Sequence, residues 1–140
     1  MAPEFEIEGS DLLSEQFGEW PSFHDSEIIS IDFNRGKEGG NPSIVVKVHA
    51  FEMTSEVNKN GYYKLINHCD IEFNFESVED VTLNGFNHQN VISDICFSKE
   101  VDSNGVSKII VEFEPCYGVE LEFKCQEVTV ISVTPTEPDK

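Results

Sequence analysis

Apolar and polar residues alternate along much of this chain, and this two-residue period restricts it to a mainly β fold. In the first such segment Ile29, Ile31 and Phe33 alternate with Ser30 and Asp32. Successive side chains of a strand point to opposite faces, so the pattern gives one apolar and one polar face. Similar segments recur as far as position 133. They predict a mainly β (or α+β) fold, an antiparallel meander of about seven or eight strands in a sandwich or half-barrel.

One short N-terminal helix is predicted ahead of the strands. Ser10 is a good N-cap, and Leu12, Leu13 and Phe17 would form a short apolar face. Gly18 marks the end of this helix. We expect residues 1–140 to form a single domain, with flexible ends at 1–9 and 135–140.

The sequence Asn60-Gly61 predicts a two-residue hairpin turn. On the reverse face of that hairpin, His49 would lie opposite Glu72 as an exposed cross-strand pair. The apolar face would carry three pairs, namely Ala50 with Ile71, Val48 with Phe73 and Val46 with Phe75.

Two three-residue turns, at 103–105 and 116–118, predict the register of the next three strands, because each ends in a glycine suited to positive φ. The apolar pairs that follow are Phe97 with Val111, Ile95 with Phe113, Phe113 with Leu121 and Val111 with Phe123. The last apolar stretch, 128–133, is either a separate strand or a bent continuation.

This register places five carboxylates together on the polar side of the three strands. We call them the acidic face: Asp94, Glu112, Glu114, Glu120 and Glu122. Like charges directly opposite each other destabilise a sheet, so the arrangement favours a basic binding partner. The alternative is a solvated outer face on which water and salt screen the charges.

The formal net charge is −18, from 27 acidic and 9 basic residues. Phosphate backbones and anionic membranes repel such a protein, so we expect neither nucleic acid nor membrane as partner. A basic protein or a divalent cation is a better match, and a merely solvated surface is the alternative. No segment approaches the ~20 apolar residues that span a bilayer, and the N-terminus carries acids where a signal peptide needs basic and apolar residues. A cytoplasmic location is therefore expected.

The four cysteines lack the paired Cys-x-x-Cys spacing of a zinc site and fall mostly within predicted strands. We expect buried free thiols, with neither a disulfide nor a bound metal or other cofactor. The residues are Cys69, Cys96, Cys116 and Cys125.

The segment Trp-Pro-Ser-Phe-His-Asp at 20–25 separates the helix from the first strand. Trp20 and Phe23 would each bury a large ring. His24 and Asp25 could form an acid–base dyad, but neighbours on a strand point to opposite faces, which favours a structural role in the turn. A metal site would need a third ligand, for which Glu27, His68 and His88 are candidates.

This segment, with 83–92 and 117–125, resembles the immunity protein 50 family of bacterial polymorphic toxin systems. The resemblance implies a small cytoplasmic protein that binds and neutralises a toxin, and it implies no catalytic residue. Together with the acidity, it favours a non-enzymatic immunity protein whose toxin is basic and possibly a nuclease. Two alternatives remain: a small hydrolase or metal-dependent enzyme using His24 and Asp25, and a ligand- or carbohydrate-binding module using Tyr62, Tyr63 and Tyr117.

Overall fold

A computed structural model describes residues 3–137 and shows the predicted mainly β fold with one short helix. Positions 1, 2 and 138–140, which belong to the ends expected to be flexible, lie outside the described residues. Within the described residues, no helix has the length and apolar character needed to cross a membrane. The elements are α1 (Ser10–Phe17), β1 (Glu27–Asn34), β2 (Ser43–Val57), β3 (Tyr63–Glu76), β4 (Glu79–Asn84), β5 (Val91–Val101), β6 (Ser107–Tyr117), β7 (Glu120–Cys125) and β8 (Glu127–Pro135).

The strands form one eight-stranded sheet in the order β4-β7-β6-β5-β1-β2-β3-β8. Two meanders, β1-β2-β3 and β5-β6-β7, agree with the sequence pattern. The predicted number of antiparallel strands is confirmed, but the meander does not extend through all of them, because β4 pairs with β7 and β8 pairs with β3. Exchanging β1–β4 with β5–β8 reverses the order and leaves it otherwise unchanged. The two halves of the chain, β1–β4 and β5–β8, therefore share one topology. The fourth strand of each half pairs with the third strand of the other.

The two halves of the sheet, β4-β7-β6-β5 and β1-β2-β3-β8, are joined by one cross-strand pair. Their inner faces also contact each other through the core. β1 and β5 pair only at Glu27 and Val91. The ring of Phe75 in β3 lies 6.1 Å from that of Phe113 in β6 and 4.8 Å from that of Phe123 in β7. These phenylalanines are at most 1% exposed. Burying such a side chain stabilises the fold by roughly 1.5–3 kcal/mol.

The stretch after β7 is a separate strand, which decides between the two alternatives left open by the sequence. Only Gln126 lies between β7 and β8, and its backbone N–H donates to the carbonyl of Glu76 at 2.9 Å. The chain thus passes directly from one half of the sheet to the other.

The register of β5, β6 and β7 is as predicted. Ile95 pairs with Phe113 and Phe97 with Val111, and across the next turn Phe113 pairs with Leu121. Gly105 and Gly118 close these turns with φ of 78° and 86°, where a side chain would be strained.

The register of β2 and β3 differs from the prediction by two residues. Val46 pairs with Phe73, and Val48 pairs with Ile71. The cause is a longer loop, in which the carboxamide oxygen of Asn58 accepts bonds from the backbone N–H groups of Asn60 and Tyr62, together with irregularities in both strands. Because this shift is an even number, the side chains of 43–50 and 69–76 keep their predicted faces.

The alternating pattern of β1 predicts the core-facing side correctly for Ile31 and Phe33, which pair with the buried Val46 and Ile44, but it misplaces Ile29. A bulge between Ile28 and Ser30 leaves Ile28 1% exposed, whereas Ile29 is 44% exposed. A bulge inserts one extra residue and so reverses the faces of the residues beyond it.

The helix begins one residue differently from the prediction. Gly9, with φ 83°, is the N-cap, and no side chain caps the helix, so Ser10 is its first residue. A Cβ at position 9 would collide with the backbone of Val130, which explains why glycine stands there. Gly18 ends the helix as predicted, and Leu13 is fully buried.

The N-terminal segment before α1 packs against the body of the fold. Ile7 is 3% exposed, and Glu8 forms a parallel bridge with Thr129 of β8. The ring of Phe5 meets that of Phe97 edge-on at 6.4 Å. The chain before α1 thus covers part of the β8 edge and approaches β5.

Candidate functional site: the acidic face and the tryptophan motif

The acidic face forms as the predicted register requires. Asp94 of β5 pairs with Glu114 of β6, and Glu112 of β6 pairs with Glu122 of β7. Glu120 of β7 pairs with Asn84 of β4. The side chains of Glu112, Glu120 and Glu122 are exposed, and the other two are half-buried. Three neighbouring strands therefore present carboxylates on one outer surface.

The pKa of Glu112 shows that these carboxylates act on one another. Partial burial raises it, and the charges of Glu122, Glu114 and Glu120 raise it further. The nearest lysines are engaged elsewhere. Nζ of Lys124 lies 2.8 Å from Oε1 of Glu100. Lys108 contacts Glu79 and Asp102 at the far end of the strands. None of these lysine contacts neutralises the pair Glu112–Glu122.

A thiol within the acidic face was missed by the sequence reasoning, which treated the cysteines as core residues. Cys96 is half-buried, and its Sγ donates to Oε1 of Glu114 at 3.2 Å. Burial, that hydrogen bond and the charges of the adjacent carboxylates raise the pKa of Cys96 to about 12. Alternation places position 96 on the outer face beside Asp94, which was the available signal.

The segment 20–25, which we call the tryptophan motif, is anchored by the rings of Trp20 and Phe23. Phe23 is 1% exposed, and its ring lies 5.8 Å from that of Trp20 and 6.0 Å from that of Phe73. Trp20 also meets Phe97 of β5 edge-on at 5.9 Å. The motif therefore joins the two halves of the sheet at the end where β1 begins.

The motif presents His24 and Asp25 together, contrary to the argument that they must point to opposite faces. Phe23 and Asp25 have φ of 55° and 64°, so this is a tight turn and not a strand. The side chains of His24 and Asp25 are 59% and 43% exposed, with Nε2 of His24 3.7 Å from Oδ2 of Asp25. The backbone N–H of His24 is 3.3 Å from the Ser22 hydroxyl that accepts its hydrogen bond.

Comparison with known proteins matches most of the chain to a family model. The family model described as Immunity protein 50 matches residues 9–136, from the N-cap of α1 to the residue after β8. The chain belongs to the immunity protein 50 family. No curated protein and no solved structure matches it.

A cavity of about 440 Å³ opens beside the motif. It is bounded on one side by the motif and the end of α1, and on the other by β2. Its lining includes Phe17, Pro21, His24, Phe51 and Met53. Neither His68 nor His88, the proposed partners of a His24 site, belongs to this lining.

A cluster of two histidines and one aspartate between β2 and β3 was not predicted. His49, predicted to be an exposed partner of Glu72, is only 8% exposed and lies opposite Asp70. Its Nδ1 is 3.0 Å from Oδ1 of Asp70, and its Nε2 is 3.1 Å from Nδ1 of His68. Burial, and then the charge of His49, lower the pKa of His68. Shifting the register by two residues is what brings these three groups together.

The remaining candidate groups lie apart. Among residues 3–137, no three His, Cys, Asp or Glu side chains are placed to hold a metal ion. All four thiols are free, but Cys116 is exposed, which corrects the expectation that it is buried. Tyr62 and Tyr63 lie at the β2–β3 end and Tyr117 at the end of β6, all more than half exposed.

Proposed function

We propose that this protein is a non-enzymatic immunity protein that binds a cognate toxin domain through its acidic face. Family membership supports the immunity role. The observation that carries the choice of surface is the pair Glu112–Glu122, two carboxylates directly opposite each other on neighbouring strands. Such pairs destabilise a sheet, by up to about 1 kcal/mol each, and two of them stand side by side here.

A basic partner removes this repulsion when it binds. The raised pKa of Glu112 means that its ionised form is disfavoured in the free protein. A lysine or arginine placed between the two strands would favour that ionised form. The net charge of −18 would also steer a basic partner toward the protein and speed association.

The chemistry of the acidic face supports a proposal about the class of its partner. A surface of carboxylates on a rigid sheet resembles the charge pattern of a phosphate backbone, and enzymes that cleave nucleic acids bind that backbone with basic clefts. A nuclease toxin is therefore the partner that we propose, with the acidic face covering its substrate channel. Inhibition would then follow from occlusion, without any reaction carried out by this chain.

The experiment is capture of the partner from the native host, followed by association kinetics with the captured domain. Glu114→Gln/Glu120→Gln should slow association by about tenfold and flatten its dependence on salt. Glu15→Gln/Glu38→Gln changes the net charge equally at exposed positions on α1 and in the β1–β2 loop. If both double variants associate at the same rate, the acidic face is not the interface.

The tryptophan motif is the competing surface. A toxin that binds normally to Glu114→Gln/Glu120→Gln but fails to bind His24→Ala would place the interface at the cavity beside His24. The His24 side chain is exposed, so this substitution does not disturb the core.

A further inference from the structure

The edge of β5 that faces away from β6 pairs with no described strand along most of its length. Backbone bonds join it to the segment before β1 only at its start, where Asp25 N–H donates to the carbonyl of Ile92, and Ile92 N–H to that of Ser26. From there the motif turns away toward α1. Among the strands of the described chain, none pairs with this edge over 93–101, whereas β6 pairs with the opposite edge throughout.

A groove of about 640 Å³ follows this edge. One wall is the consecutive run 94–99 of β5, and the other is Pro3, Glu4 and Phe5. Alternate residues of a strand point to opposite faces, so a groove lined by six consecutive residues lies along the strand edge. Within this run the backbone N–H of Ile95 already donates to Oδ1 of Asp94 at 2.8 Å, so an added strand would pair with the backbone groups beyond it. Six residues extend about 20 Å, enough for a peptide of similar length to lie alongside.

The charges around the groove differ between its two faces. The outer-face row of β5 contains Asp94 and Cys96, next to Glu112 and Glu114 of β6. The one lysine of the lining, Lys99, shares the inner-face parity of Ile95 and Phe97, and its Nζ lies 4.6 Å from the centre of the Phe5 ring. A strand added to this edge would place every second side chain level with carboxylates and the others toward apolar rings.

We propose that the β5 edge groove is a strand-addition site for an extended segment of the toxin in which basic and apolar residues alternate. The inference rests on the proposed function and specifies how the partner reaches the acidic face. Main-chain hydrogen bonds to an open edge supply affinity, and alternate side chains supply selectivity. The basic residues of the segment lie beside Asp94 and Glu114, and its apolar residues replace solvent next to Phe5 and Phe97.

The two terminal edges of the sheet are less suited to this role. β4 is six residues long and irregular between Glu79 and Thr82, with Asp80 at φ 55°. Bulges and charged residues discourage pairing at an edge. β8 is already bridged by Glu8, whose carbonyl accepts from Val130 N–H at 2.8 Å.

The test uses the full chain and a synthetic six-residue peptide of alternating lysine and valine, with capped ends. A matched control carries the same residues with every backbone nitrogen methylated, which preserves the charge but removes the donors. Affinity is measured by fluorescence anisotropy at low salt, and amide hydrogen exchange locates the contact. We expect the first peptide to bind at least about tenfold more tightly than the methylated one. We also expect it to slow amide exchange in 95–100.

Three results would overturn the proposal: equal affinity of the two peptides, protection confined to β4 or β8, or no binding. Equal affinity would indicate charge attraction alone, and protection of β4 would move the addition site to the opposite edge. A protein that fails these tests yet still binds its captured toxin domain would retain the proposed function and lose only this mode of contact. If the captured domain binds and also slows exchange in 95–100, both proposals stand together.

Discussion

Glu112 of β6 lies directly opposite Glu122 of β7, and the nearest lysine of β7, Lys124, is paired with Glu100 instead. The pair persists because the apolar residues on the other side of these strands fix the register. Val111 and Phe123 are opposite each other in the core, and moving either strand by one residue would expose both. The core therefore imposes the repulsion on the surface.

Replacing Glu112 with glutamine should stabilise the free protein at neutral pH. The pKa of Glu112 is raised in the folded state, so its ionisation opposes folding above that pKa, and the amide removes this cost. We expect the free energy of unfolding at pH 7 to rise by a few tenths to about 1 kcal/mol, since solvent screens the pair. Urea unfolding measures this change in the free energy of unfolding. Glu38→Gln, at an exposed position, serves as the control for the change in net charge.

The same gain should vanish in acid. Below the unfolded pKa of about 4.5, the carboxyl is protonated in both states and contributes nothing to the difference. An increase that persists at pH 4 would show that the substitution acts through packing and not through charge. A stabilised variant that also binds the toxin less tightly would indicate that the acidic face is kept for binding.

Phe23→Ala should unfold the protein far more readily than His24→Ala. Phe23 is 1% exposed between Trp20 and Phe73, and truncating a buried phenylalanine costs roughly 3–5 kcal/mol. His24 has a side chain 59% exposed and should change stability by less than about 0.5 kcal/mol. Thermal unfolding of the two variants gives the comparison.

Trp20→Ala should also lower the melting temperature, because its ring contacts both Phe23 and Phe97. A Trp20→Ala protein that keeps its melting temperature but loses toxin binding would show that the motif is the interface and not a structural anchor.

Stability should fall as the pH drops through the titration of His68. Its pKa in the folded state lies below the unfolded value of 6.5, because of burial and the neighbouring His49. Between the two values the unfolded chain binds more protons, so the free energy of unfolding decreases with decreasing pH. His68→Gln should reduce this decrease between pH 7.5 and 5.5, and exposed His88→Gln should leave it unchanged.

Native thiol titration should detect Cys116 well before the other three cysteines. Burial raises the pKa values of Cys69, Cys96 and Cys125 to about 12 each, and at Cys96 the hydrogen bond to Glu114 and the nearby carboxylates raise it as well. The three thiols are therefore kept protonated and unreactive. Cys116 is exposed. With a disulfide reagent at pH 8 we expect one fast equivalent, and Cys116→Ser should abolish it. Several fast equivalents in the native protein would contradict this burial.

Much of the acidic face could be predicted because its information is local. Two short turns closed by Gly105 and Gly118 leave one register in which apolar residues meet apolar residues, and the carboxylates follow on the reverse side. The same reasoning predicted the wrong register for β2 and β3. Asn58 stabilises a longer loop there, which the Asn-Gly pair in the sequence does not reveal.

The sequence by itself determined the strands, their faces and the neighbours within each meander, since a two-residue period and a turn act over short distances. Only the tertiary structure decided that β4 and β8 exchange halves, because an edge strand pairs wherever the folded core leaves an edge open. The same holds for the cluster of His49, His68 and Asp70 and for the open edge of β5. Both depend on contacts between segments far apart in the chain, and no local pattern of residues encodes them.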